Sequence, residues 1–338
     1  VSKAGAARKL AAASAFGGVG LSAVGASLYG VLRVEAAVAK RVIGPRASDQ
    51  PDASGLYGRD LTGTPIRLTL LGDSAAVGYG MADADTTPGA ILAAGLAELT
   101  GRPVRLSVDA VVGAESRHLD GQLDRALTSA QEVAVIIVGA NDVTHTRPPK
   151  ESLRTLGAAV RRLRDTGCEV VVGTCPDLGT VRPIAPPLRQ LARVWSRRLA
   201  AAQTITTVEA GGRSVSLGAL LGPEFDAYPT EYFGPDQFHP SAQGYASVAA
   251  AMLPSVAAAI GVWPEAEAAP ETFRGEGVLP VSYAAAEASR EAGTEVAPTE
   301  ISGRERGPRG RWVSLRHRRR RPLPLVDRVE AANTRGDS

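Results

Sequence analysis

The chain has 338 residues, enough for one sizeable core with extensions at its ends. Its net charge of +3 is a split: Arg304–Arg321 holds nine arginines against one acid, Glu305, so that run carries +8 and the rest of the chain −5. Two cysteines, Cys168 and Cys175, rule out a disulfide framework, and neither they nor the histidines show the spacing of a metal centre or a cofactor motif.

Residues 1–44 read as a targeting segment. Lys3, Arg8 and Lys9 precede Leu10–Leu32, 23 residues without a charge, which as a helix would be about 35 Å long and could span a bilayer. Two readings compete. The favoured one is an uncleaved membrane anchor, since Gly18, Ser22, Ala26 and Gly30 step along one face at the spacing of close-packed membrane helices. The other is a secretory signal cleaved after Ala37-Val38-Ala39. Both put the protein at the cell envelope, membrane-anchored or secreted. Residues 45–64 are polar and rich in Gly, Asp and Pro, so they read as a linker.

From residue 65 to 262 strand and helix patterns alternate. Ile66–Leu71, Val104–Val108, Val133–Val138, Glu169–Val172 and the short Ser214–Leu217 are strand-like. Between and after them lie helical patterns over Pro88–Leu99, His118–Ser129, Glu151–Arg164, Pro187–Ala202 and Ser241–Ile260. Such alternation implies right-handed βαβ units and an α/β fold, a three-layer α/β/α sandwich on a mostly parallel five-stranded sheet. Residues 263–338 change character. Pro264–Glu300 is Ala/Glu/Pro-rich without a sustained apolar face and is expected to be disordered. The Arg304–Arg321 run suits contact with anionic lipid; a nucleic-acid partner is not expected, because only Trp312 interleaves the arginines.

The strand over Ile66–Leu71 runs into Gly72-Asp73-Ser74, which would stand Ser74 up at the carboxyl end of the sheet, where open α/β folds bind ligands. Three later segments supply what a nucleophilic serine needs. Gly113, after the second strand, offers an unobstructed backbone N–H, and Gly139-Ala140-Asn141-Asp142 delivers the Asn141 amide at the end of the third. Asp236-Gln237-Phe238-His239 places an imidazole before the closing helix, with Asp236 near enough to orient it across a tight turn. A serine hydroxyl is a poor nucleophile until a base takes its proton, and the oxyanion that forms needs preorganised donors.

With these four blocks in this order, the stretch Ile66–Gly261 resembles the SGNH hydrolases, also called GDSL esterases and lipases. The resemblance implies Ser74 as nucleophile, His239 as base, Asp236 as its orienter, and an oxyanion hole from Ser74, Gly113 and Asn141. It also implies the flavodoxin-like strand order 2-1-3-4-5, with Ser74 and Asn141 flanking the switch point. Two departures stand out: Ala75-Ala76 follow the serine, and Asp109 occupies the neighbourhood where an Asn often precedes the glycine block. The expected activity is hydrolysis of lipid or small acyl esters through an acyl-enzyme. Five of the fifteen aromatics, Phe225, Tyr228, Tyr232, Phe233 and Phe238, are candidates to line an acyl pocket. The alternatives are a carbohydrate O-acetyl esterase with the same triad and a non-catalytic, membrane-tethered binding protein.

Overall fold

A computed structural model describes residues 30–38, 41, 50–218, 223–262, 276–291, 293–299 and 312–317. Its strands are β1 (Gly55–Tyr57), β2 (Ile66–Gly72), β3 (Val104–Val108), β4 (Val133–Ile137), β5 (Glu169–Gly173), β6 (Arg213–Val215), β7 (Gly277–Pro280), β8 (Thr294–Pro298) and β9 (Trp312–His317). The helices that follow β2 and β3 are α1 (Ser74–Val77), α2 (Pro88–Thr100) and α3 (Leu119–Ala126). Then come α4 (Ala140–Thr144), α5 (Pro149–Arg164), α6 (Leu188–Glu209), α7 (Pro223–Ala227), α8 (Pro229–Tyr232), α9 (Ala242–Ala259) and α10 (Val281–Ala288).

All nine strands join one sheet in the order β1-β3-β2-β4-β5-β6-β8-β9-β7. β3, β2, β4, β5 and β6 are parallel to one another, whereas β1 and the β8-β9-β7 extension pair antiparallel. The central strands are apolar on both faces, as strands covered on both sides must be. Leu68, Leu70, Val133 and Val135 point to the layer of α2 and α9, packing with Leu92, Leu96, Met252 and Val256. Their neighbours Leu71, Ala134 and Ile136 point to the layer of α3 and α5, against Leu119, Leu123, Leu156 and Leu163. The result is three layers, helix on sheet on helix.

Three expectations need correction. The sheet is a mixed one of nine strands rather than a mostly parallel one of five. Four added strands come from segments read as linker or disordered: β1 from 45–64, and β7, β8 and β9, with α10, from 263–338. They escaped notice because each is short and buries little by itself. Val296, Val313, Leu315, Ala284 and Ala288 form an apolar cluster only when brought together against Val208 of α6. Glu295, fully buried, is paired by Arg213 at 2.8 Å and by Ser255 Oγ at 2.8 Å, so the C-terminal strands carry a charge whose partners lie in the central body. Within Arg304–Arg321, Trp312–His317 is a strand bonded on both edges, and the remaining positions lie outside the described residues.

The third correction concerns the membrane. Among the described residues no helix is long and apolar enough to cross one, which overturns the expected transmembrane anchor and the membrane as its partner. Residues 10–29 of the run read as a span lie outside the described residues. That run is rich in Ala, Gly and Ser, which offer little apolar area per residue. The described residues 30–38 form a helix whose Glu35 carboxylate accepts the Leu188 N–H at 2.9 Å, capping the start of α6.

Candidate active site

The site begins where β2 leaves the sheet. Gly72 has φ +132°, and a Cβ there would sit 1.9 Å from the Ile137 carbonyl oxygen of the adjacent β4. Its peptide groups are bound by a side chain: Gln122 Oε1 accepts the Gly72 N–H at 2.7 Å and Gln122 Nε2 donates to the Gly72 carbonyl at 2.8 Å. Gln203 does the same one strand over, accepting from Cys175 N at 2.7 Å and donating to Val138 O at 2.9 Å. Two buried amides thus bind backbone groups where the strands part, the Gly72 carbonyl accepting the Val111 N–H at 3.1 Å as well. Asp73 then caps α1 by accepting the Ala75 N–H at 2.9 Å, and Ser74 opens that helix.

Ser74 Oγ lies 2.9 Å from His239 Nε2, and His239 Nδ1 lies 2.7 Å from Asp236 Oδ2. The other oxygen of Asp236 accepts the N–H groups of Phe238 and His239, each at 3.0 Å. Gln237, at φ +55°, folds the turn that makes this reach feasible. Burial is the largest influence on Asp236 and pushes its carboxyl up, but the His239 ring and the two N–H donors together hold it below the usual carboxylate range. It therefore stays ionised and able to fix the imidazole's tautomer.

The two further donors come from separate loops. Gly113, at φ +79°, follows β3, and Asn141 sits in α4 just past β4, where its Nδ2 donates to the Ala114 carbonyl at 2.9 Å. Among the described residues no backbone or side-chain acceptor takes the N–H of Ser74 or of Gly113. Ser74, Gly113 and Asn141 thus follow the carboxyl ends of β2, β3 and β4, while Asp236 and His239 come from the loop between α8 and α9 and reach Ser74 from there. His118 and His145 bond to Glu115 instead, at 2.9 and 3.0 Å. Cys168 and Cys175 are free and buried, and no group of three or more His, Cys, Asp or Glu among the described residues is placed to hold a metal ion.

Sequence reasoning missed three contributors. Tyr79 packs against His239, ring centroids 4.4 Å apart and planes tilted by 43°, and is itself held by Tyr245, whose hydroxyl donates to the Tyr79 carbonyl at 3.0 Å. Gln122 had a signal: it is polar on the face of α3 that otherwise carries Leu119, Leu123 and Ala126. Glu115 had none, since the partners that tie it to another loop, His145 and Arg147, lie 30 and 32 positions away.

Asp73, fully buried beside the serine, carries the largest perturbation of the acids here. Burial lifts its carboxyl from 3.8 to about 7; the N–H groups of Ala75 and Gly139 and the nearby His239 oppose the rise, and Asp142 adds to it. The folded chain holds a proton that the unfolded chain releases, so this group favours folding most below about pH 4 and loses that contribution as pH rises to about 7. The span corresponds to on the order of 4 kcal/mol. Asp73→Asn keeps an acceptor but cannot ionise. Its unfolding free energy, measured in urea from pH 4 to 8, is expected to gain on the wild type as pH rises; parallel curves would show that the carboxyl ionises normally.

Residues 70–247 match the model of the GDSL-like Lipase/Acylhydrolase family. The chain is 43% identical over 254 residues to the GDSL-like esterase Rv1075c of Mycobacterium tuberculosis, spanning 71% of this chain and 79% of that protein. Among solved structures, TesA matches 57% of this chain and 99% of its own at 18% identity and a TM-score of 0.44. A catalytic mutant of Axe2, an acetylxylan esterase from Geobacillus stearothermophilus, matches 59% and 96% at 16% identity and a TM-score of 0.45. A strand-end serine with this surround marks a hydrolase of the serine class. The chain belongs to the GDSL-like lipase/acylhydrolase family and is a carboxylic ester hydrolase.

Proposed function

We propose that the protein is a serine esterase for short acyl groups, with O-acetyl esters of carbohydrates as its favoured substrate class. The observation that carries the chemistry is the hydrogen-bonded chain from Ser74 through His239 to Asp236. His239 takes the Ser74 proton as Oγ attacks the ester carbonyl, and the N–H groups of Ser74 and Gly113 with the Asn141 amide receive the oxyanion. The imidazolium then protonates the leaving alkoxide. Water, activated by the same imidazole, releases the acid and frees Ser74.

The size of the acyl group follows from what the aromatic loop does. Phe225 and Phe233 are buried and pack on each other with centroids 5.0 Å apart, and Tyr232 stacks on Phe225 at 4.8 Å. Phe238 packs against Leu178, Val181 and Ile184. Three of the five aromatics considered for an acyl pocket are thus taken up by one another, Phe238 also meets the His239 ring edge-on at 4.8 Å, and Tyr228 is the exposed one. That favours small acyl groups over long lipid chains. A cell-envelope location is supported by residues 1–44 read as a secretory segment.

On p-nitrophenyl acetate, butyrate, octanoate and palmitate, kcat/KM is expected to fall at least about tenfold between butyrate and octanoate, since an extra methylene that a pocket cannot admit costs about 1–3 kcal/mol. Acetate release from an acetylated glycan should exceed fatty-acid release from a triglyceride. A maximum at palmitate would overturn the substrate class and leave the triad assignment standing.

A further inference from the structure

The two donors that lie outside the nucleophile's own loop ride on β3 and β4, and β2 separates those strands in the sheet. No ladder therefore sets the distance between Gly113 and Asn141. Side chains do. Asp142, buried next to Asn141, accepts the Ser116 N–H at 3.1 Å, the Ser116 hydroxyl at 2.9 Å and the Ser152 hydroxyl at 2.6 Å. Glu115, buried two residues past Gly113, accepts Arg147 Nε at 2.5 Å and Arg147 Nη2 at 3.1 Å. It also meets His145 Nδ1 at 3.0 Å and Arg117 Nε at 3.0 Å. The Ala114 carbonyl, between Gly113 and Glu115, holds the Asn141 amide.

We propose that Glu115 and Asp142 are positioning residues that clasp the loop after β3 to the turn after β4, and so set the spacing between the Gly113 N–H and the Asn141 amide in the transition state. The proposal rests on the esterase reading above. Each carboxylate lies one or two residues past a donor and grips the loop bearing the other, so losing either bond lets the two donors drift apart. The Arg147 hydrogen bond, then that of His145 and the charge of Arg117, hold the Glu115 carboxyl below its ordinary range, so the clasp is ionised at neutral pH. Neither residue reaches the reacting atoms. Their effect belongs to oxyanion stabilisation, where a missing donor typically costs 10²- to 10³-fold and a displaced one less.

Asp142 is deeply buried, so the test uses the partner pair at the rim, where the Arg147 side chain is 38% exposed. Glu115→Gln, Arg147→Lys (which keeps the charge but not the two-pronged contact) and the double variant would be assayed with a short-chain p-nitrophenyl ester. Active sites would be counted by fluorophosphonate titration. Expected for Glu115→Gln is a kcat per titrated site about 10- to 30-fold lower, with KM within about twofold. Affinity for a trifluoromethyl ketone, which places a charged oxygen in the hole, should fall by a similar factor. The double variant should be no worse than the poorer single one. An unchanged kcat per titrated site, even with fewer sites or a lower Tm, would mean the clasp only supports folding and would overturn the proposal. Wild-type protein that neither turns over nor titrates, matching Ser74→Ala, would instead sink the esterase reading and the clasp's role with it.

Discussion

Replacing Ser74 by alanine is expected to lower kcat by roughly four to six orders of magnitude while leaving the protein folded. The hydroxyl is the atom that His239 Nε2 meets at 2.9 Å, and its removal leaves the His239–Asp236 pair with a base and nothing to deprotonate. The donors at Ser74 N, Gly113 N and Asn141 survive the change, so a residual rate above the uncatalysed one is expected from them alone. Tm should hardly move, because Ser74 Oγ makes no contact that closes the core. Labelling by a fluorophosphonate should disappear together with turnover. Turnover retained within about tenfold would remove Ser74 from the role of nucleophile.

Gly72→Ala is expected to have the largest effect on stability, on the order of 4 kcal/mol or more, and a Tm lower by roughly 10 °C or more. The methyl group would meet backbone atoms only: the Ile137 oxygen at 1.9 Å, its carbon at 2.7 Å and its nitrogen at 3.0 Å. Backbone in a central parallel strand has nowhere to retreat, since Gly72 is paired with Ile137 in the β2–β4 ladder. The positive φ adds strain of its own. Gly113→Ala offers the contrast. It too has positive φ, but nothing lies within 4 Å of an added Cβ, so only about 1 kcal/mol of strain is expected and the loss should appear in kcat. Chemical denaturation of the two variants separates these cases; equal stability losses would refute the steric account of Gly72.

How much of this was readable along the chain differs by element. The strand beginning at Ile66 was plain because a strand covered on both faces must be apolar throughout, and Leu68–Leu71 is nearly so. That a serine, a histidine and an aspartate would meet was legible as well, since the three residue types stand in the order that the resemblance implies, and the structure joins Ser74, His239 and Asp236. Asp236 and His239 are three residues apart, so their contact is a property of one turn. The aromatic loop misled because composition does not say which way a side chain faces. Phe225 and Phe233 turned inward, where their area is removed from water.

What the amino-acid order determined by itself was local: the alternation of strand and helix, the glycines where the chain must turn, and the kinds of chemical group carried to the strand ends. Tertiary structure alone decided that β7, β8 and β9 complete the sheet, that Gln122 and Gln203 take over the peptide groups of parting strands, and that Glu115 and Asp142 join two loops. The reason is one of range. Patterns of period 2 and 3.6 report the neighbourhood of a residue along the chain, whereas the Ser74–His239 bond spans 165 positions and the Arg213–Glu295 pair 82. Such contacts exist only after loop-closure entropy has been overcome by burial of the whole core, so no single segment carries their signature.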